Sequence, residues 1–173
     1  MTDRTNSLAT TRSNPVRVAA TCEFLTFRLG SVAYGIDILK VQEIRGYEAP
    51  TLIAGAPVFM RGLLNLRGVI VPVVDLRCKF GLAQVHFDQL TVTVILTVAG
   101  RVVGAVVDSV SDVVALAPAQ IKPMPEFDTS GHTHFITGIG TPGGSDQDDL
   151  LVLLDIEQLM TSAGMGLTQH PIH

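Results

Sequence analysis

The 173-residue chain is 47% hydrophobic and 16% charged, a composition that supplies a folded core and excludes a wholly disordered protein. Its net charge of -4 argues against nucleic acid as the main partner, because phosphate binding requires a basic face. No apolar run is long enough to cross a bilayer, and the polar N-terminus has no signal-peptide core, so we expect a cytoplasmic protein. Cys22 and Cys78 match no metal-binding or redox spacing.

The chain between two polar ends has the pattern of a β protein. We expect 1–20 to be a disordered N-terminal tail and 162–173 to be a loose C-terminal tail. Between them, valine and isoleucine occur in short runs bounded by glycine, proline or aspartate, which indicates strands. The predicted strands are Glu23–Leu29, Val32–Asp37, Leu63–Leu66, Val69–Val74, Thr91–Val98, Arg101–Asp108, Val113–Leu116, Phe135–Ile139 and Leu150–Leu154.

Two tight hairpins are readable from glycine-containing dipeptides. Gly30-Ser31 separates the first two predicted strands, and Ala99-Gly100 separates the central pair. Glycine tolerates the positive φ that such turns demand. Pro72 lies inside a strand-like run and cannot donate to a ladder, so its strand is expected at an edge or at a bulge.

Three short helices are predicted, each directly after an aspartate that can cap its first turn. They are Ile38–Ile44 after Asp37, Leu76–Phe80 after Asp75, and Ile156–Met160 after Asp155. In the first helix we expect Ile38, Val41 and Ile44 to face the core. Lys40 and Glu43 are expected to face solvent.

The two halves of the chain resemble each other. Residues 34–44 and 103–113 share internal spacing, with Gly35 on Gly104, Val41 on Val110, Glu43 on Asp112 and Ile44 on Val113. Later, VVDLRCKF (73–80) resembles LLDIEQLM (153–160), an apolar strand followed by an aspartate cap and a helical turn. The repeat predicts two similar β-barrels, about 23–83 and 88–160, with a strand that can cross from one to the other.

No group of residues forms a convincing catalytic or metal site. The segment GIGTPGG (138–144) has the GxGxxG spacing, but it contains Pro142 and precedes an acidic loop, so we interpret it as a turn. Two polar groups without a complete ligand set are interpreted as solvated loops: His132 with His134, and Asp146 with Asp148 and Asp149. We therefore assign no catalytic residue, no metal ligand and no cofactor.

One arginine is harder to explain as part of a folded core. In RGLLNLRGVIVPVVDLR (61–77), Gly62 and Gly68 flank a short strand, which places Arg67 at a turn. A guanidinium there can reach a carboxylate of a partner, and arginine is favoured in interfaces. Equally, Arg67 can pair within the chain, with Glu43 or with Asp75. The sequence leaves both interpretations open.

Several motifs in order resemble the CheW family of chemotaxis adaptors. They are YGIDILKVQEIRGY, RGLLNLRGVIVPVVDLR with KFGL, RVVGAVVDSVSDVV and LLVLLDIEQL, and together they run from about Glu23 to Met160. The resemblance implies an all-β fold with short helices, in which two SH3-like (OB-like) five-stranded β-barrels pack on a shared hydrophobic core. It also implies a non-catalytic adaptor that couples methyl-accepting chemoreceptors to the histidine kinase CheA, without a cofactor.

The resemblance further implies a binding surface and its partners. The residues carried over for receptor or kinase binding are Val41, Gln42, Glu43, Asn65, Leu66, Arg67 and Gly68, and the segment 108–113 is expected beside them. The implied partners are the cytoplasmic tip of the receptors and the regulatory domain of CheA, in arrays at the membrane, with neither nucleic acid binding nor membrane insertion. Two alternatives are a scaffold of a different chemosensory pathway, and a small hydrolase or ligand-binding barrel using the histidines and acids of 132–149.

Overall fold

The structure is a computed structural model that describes residues 20–82, 85–125, 135–143 and 150–161. Its strands are β1 (Cys22–Leu29), β2 (Val32–Asp37), β3 (Val41–Gly46), β4 (Met60–Leu66), β5 (Val69–Asp75), β6 (Val92–Val98), β7 (Arg101–Val107), β8 (Ser109–Leu116), β9 (Ile121–Lys122), β10 (Ile136–Gly140) and β11 (Leu151–Leu154). The helices are α1 (Leu76–Lys79) and α2 (Ile156–Thr161). The predicted C-terminal tail and all but residue 20 of the predicted N-terminal tail lie outside the described residues.

The strands form two sheets that each draw on both halves of the chain. The first sheet has the order β8-β1-β2-β11-β10-β9, and the second has the order β3-β6-β7-β5-β4. Neighbouring strands are antiparallel except for the parallel pairs β2–β11 and β5–β7. The segment 23–83 therefore supplies β1 and β2 to the first sheet and β3, β4 and β5 to the second. Each half of the chain thus contributes one hairpin to the sheet that contains the rest of the other half, whereas the prediction of barrels at 23–83 and 88–160 allowed a single strand to cross.

The internal repeat of the sequence is visible in the topology. The hairpin β1–β2 corresponds to β6–β7, β3 corresponds to β8, and β4–β5–α1 corresponds to β10–β11–α2. Gly35 lies opposite Leu153 in one parallel pair, and Gly104 lies opposite Val73 in the other. The prediction of an all-β fold with short helices and two similar barrel units is confirmed. The first sheet has a sixth strand because the two-residue β9 is added beyond β10.

The core of the molecule consists of three apolar clusters. The largest is shared, because it takes side chains from both sheets and from α2, among them Leu25, Phe27, Ile36, Val94, Leu96, Ala105, Leu159 and Met160. A second cluster belongs to the second sheet and includes Leu64, Leu66, Val71, Val73, Ile95 and Val106. A third belongs to the first sheet and contains Leu116, Leu151 and Leu153. A shared core with one smaller cluster in each unit matches the predicted architecture.

The predicted helix Ile38–Ile44 is wrong beyond its first turn. Only Ile38–Lys40 forms a 3-10 turn, and the carboxylate of Asp37 caps it by accepting a hydrogen bond from the Leu39 amide at 2.9 Å. The chain then continues as β3, whose backbone pairs with β6. Pairing with β6 outweighs the local helix signal of the capping aspartate, because β-branched Val41 and Ile44 favour a strand. Ile44, which we expected in the core, is 45% exposed.

The other two capped helices are confirmed. The Asp75 carboxylate accepts a hydrogen bond from the Arg77 amide at 3.0 Å, and the Asp155 carboxylate accepts one from the Glu157 amide at 3.1 Å. Pro72 is not on an edge strand, since β5 lies between β7 and β4. It nevertheless precedes the β5–β7 ladder, which begins at Val73, so its missing N–H removes no bond from that ladder.

Candidate protein-binding site

The first component of the candidate site is the edge strand β3. Successive side chains of a strand point to opposite faces. Val41, Glu43 and Arg45 are the half-buried residues of β3, and they alternate with the exposed Gln42 and Ile44. The register against β6 shifts between Val41 and Glu43, so a bulge lies at the start of the strand. The strand therefore presents an acid and a base, Glu43 and Arg45, two residues apart.

The second component is the turn between β4 and β5. Arg67 has φ of 52° and Gly68 has φ of 89°, which are the two positive values of a two-residue hairpin turn. The side-chain oxygen of Asn65 accepts a hydrogen bond from the Gly68 amide at 2.9 Å and holds the turn. The sequence Asn-Leu-Arg-Gly thus folds so that the side chain of Arg67 stands at the tip and is 68% exposed.

An ion pair joins the turn to the strand. Arg67 Nη2 lies 2.6 Å from Glu43 Oε2, and Arg45 Nη1 lies 3.1 Å from Glu43 Oε1. These hydrogen bonds, first from Arg67 and then from Arg45, hold the pKa of Glu43 below its ordinary value of 4.5. Since β3 and β4 are the two edge strands of the second sheet, the pair connects its two sides. Of the two partners proposed for Arg67 from the sequence, the structure selects Glu43.

The structure brings four of the seven predicted site residues together at the surface: Glu43, Asn65, Arg67 and Gly68. Leu66 is 7% exposed and belongs to the cluster of the second sheet, so it supports the turn from below. Val41 is half-buried against the shared core. Gln42 lies at the bulge of β3, where its side-chain oxygen accepts a hydrogen bond from Thr97 Oγ1 on β6 at 3.4 Å.

Sequence reasoning missed several residues around this site. Arg45 was not predicted, although it pairs with Glu43 and, at 3.5 Å, with Glu48. Three apolar side chains on strands β3 and β5 are also exposed: Ile44 at 45%, Val69 at 50% and Ile70 at 58%. Treating VQEIRG as a strand would have found Arg45 and Ile44, because the period of two puts Arg45 on the face of Glu43 and Ile44 opposite.

The other candidate groups gain no support. His132, His134, Asp146, Asp148 and Asp149 lie outside the described residues. Gly138 and Gly140 of the glycine-rich segment lie within β10, so the part of 138–144 that is described is a strand followed by a turn. Among the described residues, no three histidine, cysteine, aspartate or glutamate side chains are arranged to hold a metal ion. No helix in the described ranges is long and apolar enough to cross a membrane.

Comparison with known proteins identifies the family of the chain. The CheW-like domain matches residues 23–164 of the chain. The chain belongs to the CheW-like family. The chemotaxis protein CheW of Klebsiella aerogenes is 51% identical over 148 residues, covering 86% of this chain and 87% of that protein. The chemotaxis protein CheW of Treponema pallidum is 31% identical, with 81% and 82% covered.

A solved structure supports the same assignment at the level of the fold. The scaffolding protein TtCheW of Thermoanaerobacter tengcongensis matches with a TM-score of 0.73 and 29% identity. The match covers 84% of this chain and 96% of that one. Membership of the CheW-like family thus rests on the sequence and on the fold, and the resemblance inferred from the motifs is confirmed.

Proposed function

We propose that this CheW-like chain is a non-catalytic adaptor that couples methyl-accepting chemoreceptors to the histidine kinase CheA. The observation that carries the proposal is family membership across nearly the whole described chain, with relatives named as chemotaxis proteins and a solved relative named as a scaffold. The partners proposed are the cytoplasmic tip of the receptors and the regulatory domain of CheA. The protein would work in the cytoplasm, within receptor arrays at the membrane.

The surface proposed for receptor binding is the Glu43–Arg67 pair with its surroundings. Arg67 projects from a turn whose backbone is fixed by Asn65, so its guanidinium reaches solvent in a defined place. The exposed Ile44, Val69 and Ile70 supply apolar area on strands β3 and β5. Exposed apolar and charged side chains on neighbouring elements are a common composition of protein–protein interfaces.

An adaptor of this kind regulates by binding alone. It changes signalling only if it binds one arrangement of receptor and kinase more tightly than another. Contacts of modest area suffice when many copies act together, because each further binding event is then intramolecular. No reacting group is required of the chain, in keeping with a family role as scaffold.

Isothermal titration calorimetry with purified fragments tests the proposal. The chain is titrated separately with a receptor cytoplasmic fragment and with the regulatory domain of CheA. We expect saturable one-to-one binding to each fragment. The chemotaxis protein CheW of a related bacterium should compete with the chain for both fragments. Binding to neither fragment would refute the adaptor role, and binding to only one would limit it to that partner.

A further inference from the structure

The chain crosses between the two sheets by very short connections. It leaves β2 of the first sheet through Ile38–Lys40 and enters β3 of the second. It leaves β7 of the second sheet through Asp108 alone and enters β8 of the first. The position of each following strand therefore depends on how its crossover is held.

One crossover is held by a buried clamp, which we define as Arg77, Asp108 and Gly30. Arg77 Nη1 lies 3.1 Å from Asp108 Oδ1, and the Gly30 amide donates to Asp108 Oδ2 at 2.7 Å. The side chain of Arg77 is only 1% exposed, and its guanidinium also forms a two-point pair with Asp75 at 2.9 and 3.0 Å. The clamp thus joins the β7–β8 crossover to a helix of the second sheet and to a hairpin turn of the first.

The other crossover is held by an exposed clamp, which we define as Lys40, Glu157 and Ala99. Lys40 Nζ lies 2.5 Å from Glu157 Oε1, and the two side chains are 36% and 43% exposed. The Lys40 hydrogen bond lowers the pKa of Glu157, and a backbone hydrogen bond from Ala99 lowers it further. This clamp joins the β2–β3 crossover to α2 of the first sheet and to the β6–β7 turn of the second.

The two clamps occupy equivalent places in the repeat. Arg77 and Glu157 each stand two residues after the aspartate that caps their helix. Gly30 and Ala99 both begin a hairpin turn with positive φ, 65° and 49°. The charges are reversed, since the crossover carries the acid in the buried clamp and the base in the exposed clamp. The same three-part connection therefore occurs twice, once on the buried Arg77, with Asp108 34% exposed, and once with both charged side chains partly exposed.

The exposed clamp adjoins the proposed binding surface along the chain. Lys40 immediately precedes Val41, the first residue of β3. Glu43 is the third residue after Lys40. A solvent-accessible cavity of about 290 Å³ lies at the clamp and is lined in part by Asp37, Lys40 and Glu157. The crossover thus has open space beside it and no buried charge to fix it, in contrast to the crossover at Asp108.

We propose that Lys40 and Glu157 are positioning residues: their ion pair sets the start of β3 and thereby the affinity of the Glu43–Arg67 surface for its receptor. The inference rests on the proposed function, because it assigns a role toward that same surface. The buried clamp is anchored by the buried Arg77–Asp75 pair, whereas the exposed clamp, which lacks such an anchor, is the adjustable joint between the sheets. A partner or a change of ionic strength that opens this pair moves β3 without unfolding the chain.

A charge-swap series in the full chain tests the inference. The variants are Lys40→Glu, Glu157→Lys and the double variant K40E/E157K, with Lys122→Glu on β9 as a matched charge reversal outside the clamp. We expect each single variant to weaken binding of a receptor cytoplasmic fragment by about threefold and the double variant to restore it. Amide hydrogen exchange at 41–43 should quicken in the single variants and return to the original rate in the double variant.

The outcomes separate this inference from the proposed function. If Arg67→Glu weakens receptor binding while the clamp variants alter neither binding nor exchange at 41–43, the inference is wrong and the binding surface stands. If the clamp variants quicken exchange at 41–43 but neither they nor Arg67→Glu affect binding, the surface assignment fails. Loss of binding in the double variant equal to that in the single variants, or an equal loss in Lys122→Glu, also overturns the positioning role.

Discussion

At the scale of single residues, Arg67 has two possible carboxylate partners, Glu43 within the chain and a group on a binding partner. Its side chain is 68% exposed, whereas that of Glu43 is 27% exposed. An exposed ion pair contributes little to folding stability, because solvent screens the charges and ordering the side chains costs entropy. The pair is therefore better suited to fixing the direction of the guanidinium than to stabilising the fold.

We expect Arg67→Glu to weaken binding of a receptor cytoplasmic fragment by at least tenfold, because charge reversal removes a donor and repels Glu43. The melting temperature should change by only a few degrees, since the site is exposed. The double variant E43K/R67E keeps an internal pair but reverses its charges. If the double variant binds like the original chain, Arg67 acts only through Glu43 and does not contact the receptor.

The ion pair with Arg67 also predicts how the Glu43 carboxyl titrates. Because Arg67 and Arg45 hold the pKa of Glu43 below 4.5, this carboxyl stays ionised as the pH falls through the usual range of glutamate. In Arg67→Gln the pKa should rise toward the ordinary value, and the remaining depression should be due to Arg45. Carboxyl-detected NMR titration measures both values. An unchanged pKa in Arg67→Gln would show that the pair does not form in solution.

At the scale of elements, the helix caps show how equivalent positions acquired different roles. Asp75 and Asp155 have the same backbone setting, since their amides donate to the carbonyls of Phe59 and Phe135, both at 2.7 Å. Asp155 serves as a cap. Asp75 is fully buried and, besides capping α1, accepts charge-assisted bonds from Arg61 and Arg77. Removing the Asp75 carboxylate leaves the buried guanidinium of Arg77 without its main partner.

We therefore expect two different costs for the same substitution. Asp155→Ala should lower the free energy of unfolding by about 1 kcal/mol through the lost cap. Asp75→Ala should lower it by about 3–5 kcal/mol, because it breaks a buried ion pair. Urea denaturation measures both, with Asp155→Asn as the control that retains a capping oxygen. Equal costs at the two sites would contradict the role assigned to the buried network around Arg77.

Gly62 allows a test of the packing of residues 51–52 against strand β4. Gly62 has φ of 140°, and a Cβ there would lie 2.0 Å from the carbonyl oxygen of Thr51. Gly68 has φ of 89°, but a Cβ there meets nothing within 4 Å. We expect Gly62→Ala to destabilise the protein more than Gly68→Ala, because only the first adds a backbone clash to the strain of positive φ. Comparable melting temperatures would be evidence against the close approach of 51–52 to β4.

Local signals explain which elements were predictable from the sequence. The hairpins β1–β2 and β6–β7 were found because a glycine turn separates two Val- and Ile-rich runs. The strand β3 was missed because Asp37 gives a genuine cap signal, yet the capped turn ends at Lys40. This segment becomes a strand because its backbone pairs with β6, which lies about fifty residues further along the chain.

At the scale of the whole molecule, pairings between distant segments were the least predictable feature. The parallel pairs β2–β11 and β5–β7 join strands from different halves, and no local residue pattern specifies them. The repeat predicted two similar units but not which hairpin enters which sheet. For the same reason the sequence offered both Glu43 and Asp75 as partners of Arg67. It gave no indication of the ion pair between Lys40 and Glu157.

The exchange of strands has a consequence for folding of the whole chain. Because each sheet contains strands from both halves and the largest cluster is shared, neither half can bury its core alone. We expect fragments cut between α1 and β6, within the region 83–90, to remain largely unfolded separately and to form native structure when mixed. Circular dichroism of the separate and mixed fragments measures this. A cooperative thermal transition in either fragment alone would show that a half folds independently.

If one molecule of this chain bridges two partners, it should recruit the kinase domain to receptors in a co-sedimentation experiment. Receptor cytoplasmic fragments are immobilised on vesicles and mixed with the regulatory domain of CheA, with or without the chain. We expect the kinase domain to sediment with the vesicles only when the chain is present, and to a smaller extent with Arg67→Glu. Equal sedimentation of the kinase domain with and without the chain would contradict the bridging role.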